Sequence, residues 1–515
     1  MKFTKLISLL CALVMLLSLF ASCANTGSGD ETTVDNASTE AGAVEPEETK
    51  DPNYDDEGYL KSSLPVLDYK GEEVNLLVWE DVERPEFEVL ESETGLDIVK
   101  DAIYERNMKV EDTLGVKLVW TEQVGDSNDL KAFVSYVQNC HSSGVYYDII
   151  ATYSRTAASL SASSLLMDLN TVEDSYLDFD KPWWPETMLD TCSIKDSLFF
   201  ISGDISTNLL HFMYAIYYNM DMLKNLGLED PIPMVDNKTW TIDKLIEMTA
   251  DLYQDADQTG SASDDDIFGF TSNYFHLEAF YSGSGMKLLE PATDGKVLKI
   301  SDDYTSQKTV DLVDKLAAWF KTGDTYVNPA GGNLKNDLVF AEGRALFTQN
   351  RVYIADAQYG GGKLREADWE YGILPNPLYD ESQENYITLL GNPFTLWCIM
   401  DNAADPSMST AVIECMASEA YRKTTPALFE NNMKYRYTPD VANKGDSTRM
   451  FDIIRENISF DLGRMFAAEM NYMSERPLRA ALDGLSWVTA GKQQVNALKK
   501  NLADLNKGLA NALGE

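Results

Sequence analysis

An α/β fold, a parallel sheet covered by helices, is predicted for this chain on three observations. Short apolar runs alternate with segments of helical spacing from residue 74 to residue 150. The helical segments carry their own start and stop residues. Once an N-terminal leader and an acidic stretch are set aside, roughly 450 residues remain, enough for two or three domains with real cores.

The first strand is Val74-Asn75-Leu76-Leu77-Val78-Trp79, an apolar run suited to a buried position. A loop containing Pro85 follows. Val99, Ala102, Ile103, Arg106, Val110 and Leu114 then recur at helical spacing, and Gly115 stops the helix. Residues 116–120 make a second strand. Gly125-Asp126-Ser127-Asn128 opens another helix with the face Leu130, Phe133, Val134, Val137 and His141, and residues 147–150 make a third strand. This succession means right-handed βαβ units. In open sheets of this kind a ligand crevice lies beyond the carboxyl ends of the strands. Those ends are Trp79-Glu80, Thr121-Glu122 and Thr152-Tyr153-Ser154-Arg155. Trp79 and Tyr153 either meet a ligand there or cap the core.

Residues 198–219 set two apolar runs on either side of Gly203-Asp204-Ile205-Ser206, a passage suited to crossing from one lobe to another. Trp240-Thr241 begins a helix, with Thr241 as N-cap and Trp240 packed on Leu245. Val310, Val313, Leu316, Ala317 and Phe320 share a helix face, as do Val412, Cys415, Met416 and Ala420. Residues 340–347 read as helix, glycine, strand, and residues 371–375 as a short strand ended by Pro375. An amphipathic helix closes the chain with Val495, Leu498, Leu502, Leu505 and Leu509.

The N-terminus has the three parts of a secretory signal peptide: a basic start at Lys2 and Lys5, an uncharged apolar run over 6–20, and small residues Ala21-Ser22. Cys23 follows at once, as in a bacterial lipobox, which makes Cys23 the expected lipidated N-terminus after cleavage of 1–22. Phe20 departs from the aliphatic residue usual in that pattern. Residues 26–56 are rich in Glu, Asp, Thr, Gly, Ser and Ala, with almost no bulky apolar residue. Such a segment cannot bury enough surface to offset its conformational entropy. It is read with its flanks, 23–65, as a disordered acidic stalk.

The formal net charge of −41 argues against nucleic acid as partner, since a phosphate backbone calls for basic surface. Of six Cys, Cys11 lies in the leader and Cys23 carries the lipid. Cys140, Cys192, Cys398 and Cys415 lack CxxC spacing and are expected as free thiols, although export permits disulfides. Three unclustered His make a His-rich zinc site improbable. Asp255, Asp257, Thr259, Gly260 and Asp266 fall at positions 1, 3, 5, 6 and 12 of an EF-hand frame, so a structural calcium is the one cofactor to weigh against a plain acidic turn. None is required for function. No P-loop, nucleophile elbow or HExxH is present, and the protein is read as a non-enzyme. Pro182-Trp183-Trp184-Pro185 is the densest aromatic cluster in a chain of 9 Trp, 26 Tyr and 20 Phe; flat rings stack on sugar faces, but they more often fill a core.

The order of AIYERNMKVEDTLGVKL (102–118), YYDIIATYSR (146–155), LMDLN (166–170), KPWW (181–184), FISGDIS (200–206), YYN (217–219), TWTIDKL (239–245), residues 255–270, FAEGRALF (340–347) and YGILPNP (371–377) resembles the family 1 extracellular solute-binding proteins of ABC importers, the maltose-binding-like lipoproteins. The resemblance implies a two-lobed α/β fold of the periplasmic-binding-protein kind (type II), each lobe a sheet flanked by helices, joined by crossing strands. It implies lobe 1 over 66–206 and 333–386, and lobe 2 over 207–332 and 387–515. Ligand would bind in the interlobe cleft and hinge closure would trap it. Carried over by position, the ligand-binding residues are Trp79, Glu80, Thr152, Tyr153, Arg155, Asp204 and Tyr274. The implied protein is a monomer, anchored by lipid on the extracellular face of the membrane, that delivers an oligosaccharide to ABC permease subunits. Two rivals remain: a surface glycan-binding or sensor protein on the same fold, and a surface glycoside hydrolase.

Overall fold

A computed structural model describes residues 53–515 apart from 56–57, 81, 83, 294, 329–334, 357–361 and 438–443. The leader, Cys23 and most of the stalk lie outside the described residues. The chain opens as its pattern predicts: β1 (Glu72–Trp79), α1 (Ile98–Leu114), β2 (Val116–Gln123), α2 (Leu130–Ser142), β3 (Ile149–Tyr153) and α3 (Ser154–Ala162). Asp97 caps α1 by accepting from the Val99 amide at 2.8 Å, and Gly115 ends it in left-handed backbone (φ 63°). The third strand runs later than its apolar run. Asp148 turns its carboxylate back to the Asn75 amide (2.8 Å) and Tyr147 shares a hydrogen bond with Tyr136 (2.7 Å), so the ladder starts only at Ile149.

The second half supplies β4 (Tyr214–Asn219), α4 (Ile242–Thr249), β5 (Phe268–Asn273), α5 (Gln307–Phe320), β6 (Thr325–Asn328), β7 (Ala345–Arg351), β8 (Tyr371–Leu374), β9 (Thr395–Cys398), α6 (Pro406–Glu419), α7 (Arg476–Asp483) and α8 (Trp487–Ala512). Two main sheets result. The first has the order β9-β3-β1-β2, with β1, β2 and β3 parallel and β9 antiparallel on β3. The second has the order β8-β4-β7-β5-β6. Its β5 is parallel to β6 and β7, whereas β4 runs against β7 and β8.

The chain does cross between sheets over 198–219: Ile201 bridges Trp397 of β9, and Met213, just before β4, bridges Leu390. The partition of strands differs from the one the resemblance implied. Residues 345–351 and 371–374, expected in the first lobe, pair with β4 of the second sheet, and 395–398, expected in the second lobe, closes the first. The reason is pairing across long stretches of sequence: Tyr214 meets Arg351 and Tyr371 meets Asn219 in antiparallel register. Residues 58–65, expected as stalk, lie on the body, where the Leu60 carbonyl accepts from Arg422 (3.0 Å) and Leu60 and Leu64 pack on the core.

Thr241 caps α4 as predicted, accepting from the Lys244 amide (3.2 Å), and Trp240 is buried with its indole N–H on the Pro375 carbonyl (3.0 Å). Helix α8 packs against both α3 and α5. Gly508 allows that contact, because a Cβ there would meet the Ala162 carbonyl at 2.2 Å. Cys140, Cys192, Cys398 and Cys415 are free, the last three buried.

Candidate functional site

Strand β3 ends at Tyr153, and the next residue is pinned in place. The Ser154 amide donates to the Phe394 carbonyl (3.0 Å) and its hydroxyl to the Asn392 carbonyl (2.6 Å). Arg155 follows on the first turn of α3. Strand β5 of the other sheet ends at Asn273, followed by Tyr274 and the short helix Glu278–Gly283. A third segment, residues 461–483, joins these two ends. Arg464 donates from Nε to Glu278 (2.5 Å) and from a terminal nitrogen to the Leu390 carbonyl, while Ser474 donates to the other Glu278 oxygen (3.1 Å). This buried carboxylate is therefore filled on both oxygens, and it fixes the segment that presents Tyr472 and Glu475.

Two rings result, each covered by a guanidinium. Arg155 lies over Tyr472 at 5.2 Å and Arg479 over Tyr274 at 3.4 Å, both within cation–π range. Asn471 and Tyr472 are both in left-handed backbone, φ 49° and 53°, which costs a residue with a side chain free energy and turns the ring outward. Tyr274, Tyr472, Glu475, Arg476, Arg479 and Asp483 line an open cavity of about 540 Å³. Burial pushes the Tyr153 hydroxyl up, with Tyr472 and Glu278 adding to it against Arg155 and Arg464. Burial and the Glu278 charge likewise raise the Glu475 carboxyl, against the pull of Arg155, Arg479 and Arg476.

Tyr153, Arg155 and Tyr274 are thus brought into one neighbourhood. Trp79 and Thr152 are not: Trp79 is 1% exposed, with its indole N–H on the Thr395 hydroxyl (3.0 Å) and its ring 5.6 Å from that of Tyr153. It packs against Tyr153 as core, on β1, an inner strand of its sheet. Thr152 is buried on the same sheet, and Glu80 is exposed at the end of β1 without lining the cavity. Asp204 lies in a second cavity of about 360 Å³ with Pro185, Gly203, Phe429, Arg455 and Glu456. There it is paired with Arg455 (2.9 Å) and accepts from Thr425 (2.6 Å). Trp183 and Trp184 are buried and donate to Glu414, so the dense aromatic cluster is core. Sequence reasoning missed Glu278, Arg464, Tyr472, Glu475 and Arg479. The run of arginines at 464, 476 and 479 beside Asn471-Tyr472 was the available signal.

A second contact joins the two sheets. Arg84, in the loop after β1, donates from Nε to Asp356, which follows β7 (3.1 Å), and lies over the Tyr353 ring at 4.9 Å. Tyr437 donates to the other Asp356 oxygen (2.8 Å).

The acidic loop also converges. Carboxylate oxygens of Asp255, Asp257 and Asp266 lie within 4.8 Å of one another, a hard-oxygen set of the type calcium takes. Thr259, expected as a fourth ligand, instead donates its hydroxyl to the Ser261 carbonyl (3.0 Å). Each of the three carboxylates accepts from backbone amides of the loop, as Asp255 does from Gly260 (2.9 Å) and Asp266 from Ala256 (2.8 Å).

Comparison with solved structures finds the same fold. An ABC substrate-binding protein of Listeria monocytogenes in complex with cycloalternan is 14% identical, with a TM-score of 0.52 over 84% of this chain and 99% of that one. The galacto-N-biose/lacto-N-biose I-binding protein of Bifidobacterium longum is 12% identical, with a TM-score of 0.56 over 86% and 98%. A cyclic α-maltosyl-1,6-maltose binding protein of Arthrobacter globiformis is 12% identical, with a TM-score of 0.54 over 85% and 100%. At such identities the likeness is one of fold. A search of curated proteins finds no match. The family model described as bacterial extracellular solute-binding protein matches residues 107–426, more than half of the 515. That span runs from α1 through both sheets to the end of α6, and on it the chain belongs to the bacterial extracellular solute-binding proteins.

Proposed function

We propose that the protein captures an oligosaccharide between the two sheets and delivers it to the permease of an ABC importer, held to the outer face of the membrane by lipid on Cys23. The observation that carries this reading is the pair of tyrosines, Tyr274 and Tyr472, set at one cavity among charged side chains. Flat rings cover the apolar faces of sugars, and charged groups take the hydroxyls. The saccharides named with the three solved relatives support the same solute class. Family and relatives are binding proteins, and the residues at the cavity act by holding and not by turnover. Ligand touching both β3 and β5 ends would favour a closed state, in which the Arg84–Asp356 contact helps keep the sheets together. A calcium ion on Asp255, Asp257 and Asp266 would staple its loop and take no part in capture.

Calorimetry of the body, residues 58–515, against an oligosaccharide panel tests the reading. Binding is expected, and Tyr472→Ala or Tyr274→Ala should each weaken it about tenfold, roughly 1.4 kcal/mol. Release of new reducing ends from any glycan, or binding of peptides in place of sugars, would remove it. Cys23→Ala should send the protein into the medium; retention on the membrane would remove the lipid anchor from the reading.

A further inference from the structure

Arg155 is 7% exposed, yet among the described residues it makes no hydrogen bond and no ion pair. Its Nε is fully buried without an acceptor. One face of the guanidinium rests on the Tyr472 ring at 5.2 Å. The acids whose charges reach it leave it unpaired: both Glu278 oxygens are filled by Arg464 and Ser474, Glu469 accepts from the Ser159 hydroxyl (2.5 Å), and among the described residues neither Glu469 nor Glu475 forms an ion pair with it. A buried cation normally has a partner, because desolvating a charge without one is costly. Arg106, the other arginine buried this deeply in the first half, has both hydrogen-bond acceptors and a compensating charge. It donates to Asn107 (3.0 Å) and to the Glu86 carbonyl (2.8 Å), and the buried Glu86 carboxylate acts on its charge.

We infer that the solute carries a negatively charged group, a carboxylate or a sulfate ester, and that Arg155 is the residue that receives it. The inference rests on the saccharide reading above and narrows it to acidic sugars. The hydroxyls of a neutral sugar would occupy N–H groups of the guanidinium but leave its charge uncompensated. A carboxylate or sulfate does both, through paired N–H···O bonds that match the planar fork of arginine. The Tyr472 ring lies under that guanidinium. Arg476 and Arg479 line the adjoining cavity and keep its arginine content high in a chain of net charge −41. Selection for the anion is therefore local, since the acidic surface farther than about 8 Å is screened at physiological salt.

The test is calorimetry on residues 58–515 with three probes: a galacturonate trisaccharide, a sulfated disaccharide of the chondroitin type, and maltotetraose. One or both acidic probes are expected to bind, and Arg155→Met should weaken them at least a hundredfold, with Arg155→Lys intermediate. Uronate binding alone identifies a carboxylate, and sulfated-probe binding alone a sulfate. In the ligand-free protein Arg155→Met should raise the thermal midpoint, because it removes an unpaired buried charge. Binding of maltotetraose alone, indifferent to Arg155→Met, would overturn the inference and leave the saccharide reading standing. Binding of none of the three would overturn both. A lowered midpoint in ligand-free Arg155→Met would show that the arginine serves the fold, and would also overturn the inference.

Discussion

Arg464 and Arg155 are buried in one neighbourhood between the sheets and are treated in opposite ways. Arg464 has a carboxylate from one sheet's helix and a carbonyl from the connection to the other; it ties Glu278 to the segment that carries Tyr472. Arg155 has a ring beneath it and, among the described residues, no carboxylate hydrogen-bonded to it, although the charges of Glu278, Glu475 and Glu469 act on it. On the proposed reading, the contrast separates two uses of a buried charge: Arg464, whose partners are internal, serves the architecture, and Arg155 is left to be completed by the solute. Asp204 also has internal partners, since Arg455 and Thr425 both donate to its Oδ1, and it lines a different cavity from Tyr274 and Tyr472.

The sharpest way to break the comparison is to remove the paired arginine. Arg464→Met strands the Glu278 carboxylate and should cost about 3–5 kcal/mol, read from urea unfolding. The double variant with Glu278→Met should recover most of that loss. If Arg464→Met costs no more than Arg155→Met, the two arginines do not differ as described.

Glu414 extends the comparison to an acid. It accepts both indole N–H groups, from Trp183 (3.1 Å) and Trp184 (3.0 Å), but among the described residues no cation pairs with it. Burial outweighs those bonds and its carboxyl is pushed up to about 7. The folded state thus holds the proton more tightly than the unfolded state. The contribution is complete below pH 4.5 and is lost as the pH rises through 7, about 3 kcal/mol over the window. Unfolding free energies at pH 5 and 8 should show this loss in the natural protein and not in Glu414→Gln. Equal slopes would place the titration elsewhere.

The acidic loop gathers charge of the opposite sign to Arg155, the three carboxylates of Asp255, Asp257 and Asp266. Millimolar calcium should raise the thermal midpoint by about 2 °C over the same protein in chelator, the smallest effect expected here, and Asp257→Asn should abolish it. Identical midpoints would make the loop a plain turn.

The βαβαβ opening was legible in sequence because each decision in it is local: apolar runs, helical spacing, and Gly115 where left-handed backbone is needed. That Tyr153 and Arg155 stand at a strand end was legible from the apolar run before them, and the resemblance placed Tyr274, which follows the end of β5. Which strands share the second sheet was not, since Tyr214 finds Arg351, and Asn219 finds Tyr371, only through long-range register. Tyr472 was hidden for a related reason. Its segment has little regular structure, and its position is set by an ion pair to a residue 186 positions away. Trp79 misled because burial and ligand contact call for the same side chain.

The left-handed pair Asn471 and Tyr472 has a consequence for how quickly the receptor commits to a guest. Each such residue is held at a cost of order 1–3 kcal/mol that the rest of the fold sustains. The Tyr472 ring is therefore posed by the fold itself, so on the proposed reading little freedom would be surrendered when a solute lands on it. Affinity there would grow from rigidity built in during folding, with no need for a loop to settle around each new arrival.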